Sequence, residues 1–319
     1  MITKFYFDHD ILSDGYLNTL PVVNDFLLEN WRLYGALGVD SREFPKLITG
    51  LSNVPPKYKQ KWALAISKNK RFNATLINPV LSECTTREEI ERNLNNSNIS
   101  VGIIQTELHE YYDGNFNNVN EIVSPASISE SYFFKKSKEH CSKDLTQNEC
   151  VNKIWNERFQ SLVEHSKVIT IIDRYSVLNA IEDHKGGKKT SLETFLSFLS
   201  QFTHNIHVSL LSACNIHGHI FTAREVTDYL TLLRGKPNIG KNISLQVSLC
   251  KNKIFKDEAH DRMIRLDLSH VIQIGTGLEI FRKKAINKQT FTIKDTSLSC
   301  FNDAYATLNK NREPGFTSL

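Results

Sequence analysis

Within the stretch EAHDRMIRLDLSHVIQIGTGLEIF, residues 258–281, His260, Asp261 and Arg262 fall between two segments that otherwise have the composition of sheet. Strand interiors seldom carry three ionisable side chains in a row. Three chemistries suit such a cluster: a reaction centre, a grip on an anionic partner, or a polar strand end. In the last case Asp173 or Asp267 pairs with Arg262 beneath the carboxyl edge of a sheet. That edge is also where open α/β sheets bind ligands, and both DRY (173–175) and HDR (260–262) are placed to end there. A second set of ionisable residues lies near the start of the chain. YFDHD carries Asp8 and Asp10 at the end of an aromatic, β-branched run, and DSREF carries Glu43. The simpler alternative is a cap, with Asp10 or Ser13 starting the next helix.

The elements that must position these groups are legible from periodicity. KFYFDHDIL (4–12) reads as a strand, LPVVNDFLLENWRLYG (20–35) as a helix stopped by Gly35, and ALGV as a short buried strand. Ser41 is expected to cap REFPKLITGL. PPKYKQKWALAISKNK (55–70) opens with prolines and continues as a basic amphipathic helix. NATLINPVL is expected as a strand, TTREEIERNLNN as a capped helix and ISVGIIQTEL (99–108) as another strand. Residues 111–150 are polar, without a long apolar run, and read as a connector. A helix over 148–166, a strand and polar turn in KVITIIDRYSVLNAI, and further strands IHVSLLSA, ISLQVSLCKN, HDRMIRLDL and HVIQIGTGLEIF follow, with helices between the first of them. Strands alternating with helices predict an α/β class with two α/β sandwich domains, over 1–110 and 151–319.

Bulk properties limit the function classes. The 319 residues exceed the usual extent of one hydrophobic core, and 40% hydrophobic with 23% charged content is ordinary for a globular chain. No apolar run approaches the roughly 20 residues of a membrane helix, and the start lacks a secretory pattern, so a cytoplasmic protein without a transmembrane segment is expected. A net charge of +4 is too mild to establish nucleic-acid binding. The basic helix 57–71, which includes Lys61 and Lys68, could track a phosphate backbone while Tyr58 or Trp62 stacks on a base; a solvated surface with a buried Trp is the plainer expectation. Six scattered cysteines read as reduced thiols. Cys214 with His217 and His219, and His140-Cys141 with Cys150, could hold zinc but lack paired C-x-x-C spacing. GGKKT (186–190) lacks the leading glycine of a P-loop and reads as a basic loop.

His260-x-Arg262, four residues, Asp267, and a later Gly275-Thr276 turn resemble the phospholipase D signature, H-x-K, four residues, D and a glycine turn. The wording HDR…VIQIGTGLEIF is similar to the divergent branch that includes the C-terminal domains of MIT-domain proteins, over roughly residues 150–285. The resemblance implies that His260 attacks phosphorus, that Arg262 and Arg174 hold phosphate oxygens, and that Asp173 and Asp267 support them, with no cofactor required. The chain departs from the pattern in having arginine for lysine and no second copy of the signature. An enzyme of this kind then requires a homodimer to bring two His260 together. The MIT-associated members implied by the resemblance are binding modules.

The N-terminal acids resemble the opening of PIN-type nucleases, over residues 1–110. That resemblance implies Asp8, Asp10 and Glu43 as ligands of Mg²⁺ or Mn²⁺. Two expectations follow. One is a nuclease acting on DNA or RNA, similar in architecture to effectors of prokaryotic antiviral defence and working with a partner protein of the same system. The other is a non-catalytic phospholipase D-fold scaffold that docks a partner protein or nucleic acid.

Overall fold

The computed structural model describes residues 2–112, 119–216, 218–259, 262–267, 270–295 and 299–313. The chain divides into two compact units, Met1–His140 and Cys141–Leu319. Among the described residues no helix is long and apolar enough to cross a membrane.

The first unit holds a sheet of β1 (Thr3–Tyr6), β2 (Gly35–Val39), β3 (Arg71–Asn73), β4 (Val101–Ile103) and β5 (Glu121–Val123). All pairings are parallel, in the order β3-β2-β1-β4-β5. Parallel strands are covered on both faces, which is why Phe5, Ala36, Leu37, Val101 and Ile103 are fully buried. The covering helices include Pro21–Tyr34, Pro56–Lys68 and Arg87–Asn96. Trp31 and Trp62, one from each of the first two, meet Phe7 edge-on with centroids 6.2 and 6.0 Å away. Gly35 is needed where it stands, since a Cβ there would lie 2.8 Å from the Phe5 ring. The strand order reverses between β1 and β4, which opens a crevice at their carboxyl ends.

Several expected elements are shorter than their sequence pattern. The strand expected over NATLINPVL does not form beyond its first residue, Asn73, where β3 (Arg71–Asn73) ends. Beyond it, polar side chains take the backbone groups a ladder would use: Asp40 accepts from Leu76 N, and Asn93 accepts from Ile77 N and Asn78 N. The strand expected over 99–108 ends at Ile103, and Thr106–Tyr111 is helical because Asp14 captures Thr106 N. Ser41 is not a cap; Asp40 closes the turn onto Arg42 N, and the helix begins at Phe44. The stretch expected as a connector supplies β5 and the helix Tyr132–Ser142, whose Phe134 joins the first core.

In the second unit β6 (Val168–Ile172), β7 (Ile206–Ala213), the small hairpin β8 (Asn215–Ile216) and β9 (His219–Ile220), β10 (Ile243–Cys250), β11 (Met263–Leu266), β12 (His270–Ile274) and β13 (Phe291–Asp295) follow in turn. Six of them form a mixed sheet, β10-β7-β6-β11-β12-β13. The first three run parallel, and the pairings beyond β6 are antiparallel. The polar turn expected after β6 is brief, and the helix Ser176–Lys185 starts at once. A π-helical turn, Trp155–Phe159, lies inside the helical segment 151–163. It stacks Trp155 on Phe198 with centroids 4.7 Å apart and sets Phe159 against Phe281 at 5.4 Å. Such aromatic pairs anchor one side of the sheet. Helix Ser299–Lys310 and β13 complete the unit.

Candidate anion-binding edge of the second unit

Antiparallel pairing of β11 on β6 sets Met263 opposite Ile172, so the start of β11 meets the carboxyl end of β6. Arg262 and Asp173 are brought together by that register. Asp173 is 2% exposed, and its carboxylate accepts hydrogen bonds from Tyr175 N at 3.0 Å and Leu278 N at 2.8 Å. Burial pushes the Asp173 carboxyl up from its ordinary value, while those bonds and Arg262 oppose the shift. The Arg262 Nε lies 3.8 Å from Asp173 Oδ1, and one terminal nitrogen donates to Gly275 O. Gly277 closes the turn with φ +62°. A Cβ there would overlap Asp173 Oδ2 and lie 2.7 Å from Arg262 Cδ, so glycine is required for conformation and for space.

Tyr175 organises the cations. The guanidinium carbons of Arg174 and Arg262 lie 4.8 and 5.1 Å from its ring centroid. Arg174 Nε also donates to Asn252 Oδ1 at 2.6 Å, which ties it to the segment after β10. Thr276, in the glycine turn, is held through its N–H and hydroxyl by Gln289 Oε1. Two oriented guanidinium groups beside a single buried carboxylate make an edge suited to a phosphate-sized anion.

Sequence reasoning placed Asp173, Arg174 and Arg262 here but gave no part to Tyr175, Asn252 or Gly277. His260 and Asp261 lie outside the described residues. Asp267, expected to support catalysis, is not at this edge. It has φ +49° and sits at the other end of β11, about 13 Å along a four-residue strand. There its carboxylate accepts from Lys167 N and Val168 N, each at 2.9 Å, and fastens the start of β6. An H-x-K spacing does recur as His165-Ser166-Lys167, at that same amino end, remote from Arg262.

In the first unit, Asp8, Asp10 and Glu43 lie near one another but are already engaged. Asp8 is the N-cap of the 3₁₀ turn His9–Ser13, and its two oxygens accept from Asp10 N and Ser82 N. Asp10 accepts from the Ser82 hydroxyl, and His9 bridges Asp10 and Glu43. Lys46 Nζ lies 3.3 Å from the other Glu43 oxygen. Among the described residues no group of three or more His, Cys, Asp and Glu side chains is arranged to hold a metal ion. Of the expected zinc grouping Cys214, His217 and His219, His219 faces Glu225, the Cys214 thiol faces Asn215, and His217 lies outside the described residues. Burial, aided by Asp10, raises the Asp8 pKa to about 6. A raised carboxylate pKa stabilises the fold below the unfolded value and loses that contribution as pH rises through the folded value. Asp8→Asn is therefore expected to gain on the parent protein between pH about 4 and about 6, by about 2 kcal/mol. Paired thermal unfolding across that range checks the sign; a constant difference would contradict it.

Lys61 pairs with Asp25 at 2.7 Å on the surface and Lys68 is exposed. Trp62 and Tyr58 are buried, with Trp62 Nε1 donating to Asn24, so this helix has neither aromatic side chain available to stack on a base. In GGKKT, Thr190 caps the helix Ser191–Leu199.

Residues 190–302 match the family model described as the phospholipase D-like domain at the C-terminus of MIT. No curated protein matches the chain. The matched segment runs from that capped helix past β13 and contains Arg262 and the Gly275–Gly277 turn, while Asp173 and Arg174 precede it. The second unit therefore contains a phospholipase D-like domain of the kind found at the C-terminus of MIT.

Proposed function

We propose that the second unit holds a nucleic-acid strand by its phosphates at Arg174 and Arg262, and that holding rather than cutting is its role. The observation that carries this reading is the placement of both guanidinium groups within 5.1 Å of the Tyr175 ring centroid, each fixed by a further hydrogen bond. Preorganised cations lose little side-chain freedom when a phosphate arrives. Three features favour holding. The signature occurs once, Arg262 replaces the usual lysine and is spent partly on Gly275 O, and Asp267 serves the far end of the sheet. In the first unit the carboxylates suggested as Mg²⁺ or Mn²⁺ ligands accept from backbone N–H groups, Ser82 and His9, while Glu43 Oε2 has Lys46 beside it and no hydrogen-bond partner among the described residues.

A second reading, a phosphodiesterase acting in antiviral defence, rests on His260 standing two residues before Arg262. It requires a two-fold dimer that apposes two copies of His260. Incubation with labelled single-stranded DNA and RNA, in Mg²⁺, Mn²⁺ or EDTA, separates the two readings. Retarded but intact strands are expected. Cleavage that disappears in His260→Ala would replace holding by catalysis. Cleavage lost in Asp8→Ala but retained in His260→Ala would move the chemistry to the first unit. Absence of binding to either strand would remove the phosphate reading.

A further inference from the structure

The reversal of strand order in the first unit coincides with a crevice of about 350 Å³, lined by residues that follow β1 and residues that follow β4. Ser13, Asp14 and Tyr16 form one side, and Gln105, Thr106 and Glu107 the other. Open α/β sheets bind ligands in this position, and the volume lies in the range of small-molecule sites.

Among the described residues, the lining carries two carboxylates and no lysine, arginine or histidine. Asp14 ties the two sides together: Oδ1 accepts from Leu17 N at 2.9 Å and Oδ2 from Thr106 N at 2.7 Å. A carboxylate oxygen bonded once keeps accepting capacity. Gln105 spends its Nε2 on Asp10 O at 2.8 Å, which leaves its amide oxygen as a further acceptor. Thr106 is 7% exposed, and its hydroxyl has no hydrogen-bond partner among the described residues. An orphaned buried hydroxyl costs free energy unless a ligand or water satisfies it. At the rim the Tyr16 ring is 47% exposed and Glu107 is exposed. The set is rich in acceptors, anionic and edged by an aromatic face, so it repels phosphate and suits a planar cation with several N–H donors.

We propose that this crevice binds a guanidinium group, carried either by a small arginine-like molecule or by an arginine side chain of a peptide. The site is separate from the anion-binding edge of the second unit and opposite to it in charge.

Isothermal titration of the full chain with agmatine, with acetyl-Gly-Arg-Gly-amide and with inorganic phosphate tests the proposal. At least one guanidinium probe is expected to bind saturably. Agmatine alone would identify a free molecule, and the peptide alone a basic side chain of a partner. Glu107→Gln, an exposed change that leaves the fold intact, is expected to weaken that binding about tenfold. Thr106→Val removes the orphaned hydroxyl, so it is expected to weaken binding severalfold while raising the melting temperature. Phosphate binding, where seen, is expected to be indifferent to both variants. Failure of both guanidinium probes to saturate, or affinity unchanged in Glu107→Gln, would overturn the assignment.

Discussion

Gly277→Ala is expected to lower the stability of the second unit by about 3 kcal/mol and to abolish anion binding at its carboxyl edge. The cost has two sources. At φ +62° an L side chain is strained, and the new methyl group would displace Asp173 Oδ2 and press on Arg262 Cδ. Asp173 cannot yield without releasing Leu278 N and Tyr175 N, so the turn, the carboxylate and the arginine move together. Gly187 supplies the control. It has φ +68° and nothing within 4 Å of the place a methyl group would take, so Gly187→Ala bears the backbone strain alone, about 1 kcal/mol. Urea unfolding of both variants measures the difference. Equal losses would mean that the crowding at Gly277 is unimportant.

Arg262→Ala is expected to weaken nucleic-acid binding by about 30-fold, and Arg262→Lys to restore only part of it. Lysine keeps the charge but cannot donate to Gly275 O, face Asp173 and lie over Tyr175 at once, as the guanidinium does. Removing the arginine also leaves Asp173 buried without its cation, so some loss of stability accompanies the loss of binding. Arg174→Ala separates the two effects. Its guanidinium is tied to the Asn252 side chain rather than to a buried carboxylate, so binding should fall by about tenfold with little change in stability. Fluorescence anisotropy with a labelled single strand, read beside unfolding curves, checks both.

Much of this arrangement was legible because local signals and tertiary demands agreed. Strand and helix alternation gave both α/β units, Gly35 ended its helix where expected, and the helix expected over TTREEIERNLNN is capped by Thr86. The pairing of Asp173 with Arg262 was legible as one of two alternatives, since both stretches end in charge after apolar runs. The rest depended on contacts distant in sequence. Tyr175 reads as an ordinary turn residue until β11 brings Arg262 onto its ring. Asp267 matches a signature position, yet the length of β11 carries it to the far edge, a separation that spacing along the chain cannot reveal. The strand expected over NATLINPVL fails because Asp40 and Asn93 take its backbone donors from outside the segment. Three-residue β5, amid polar sequence, has too few alternations to register. The acids at Asp8, Asp10 and Glu43 were legible as neighbours, while their engagement by Ser82 and His9 was not.

The central claim, that Arg174 and Arg262 hold phosphates, is tested most directly by the salt dependence of single-strand binding. Each phosphate contact to a cation contributes about 0.7 to the slope of log affinity against log salt on a single strand. The account predicts that Arg174→Ala and Arg262→Ala each flatten the slope by about that amount, for DNA and RNA alike. Parent-like slopes and affinities in both variants would contradict it.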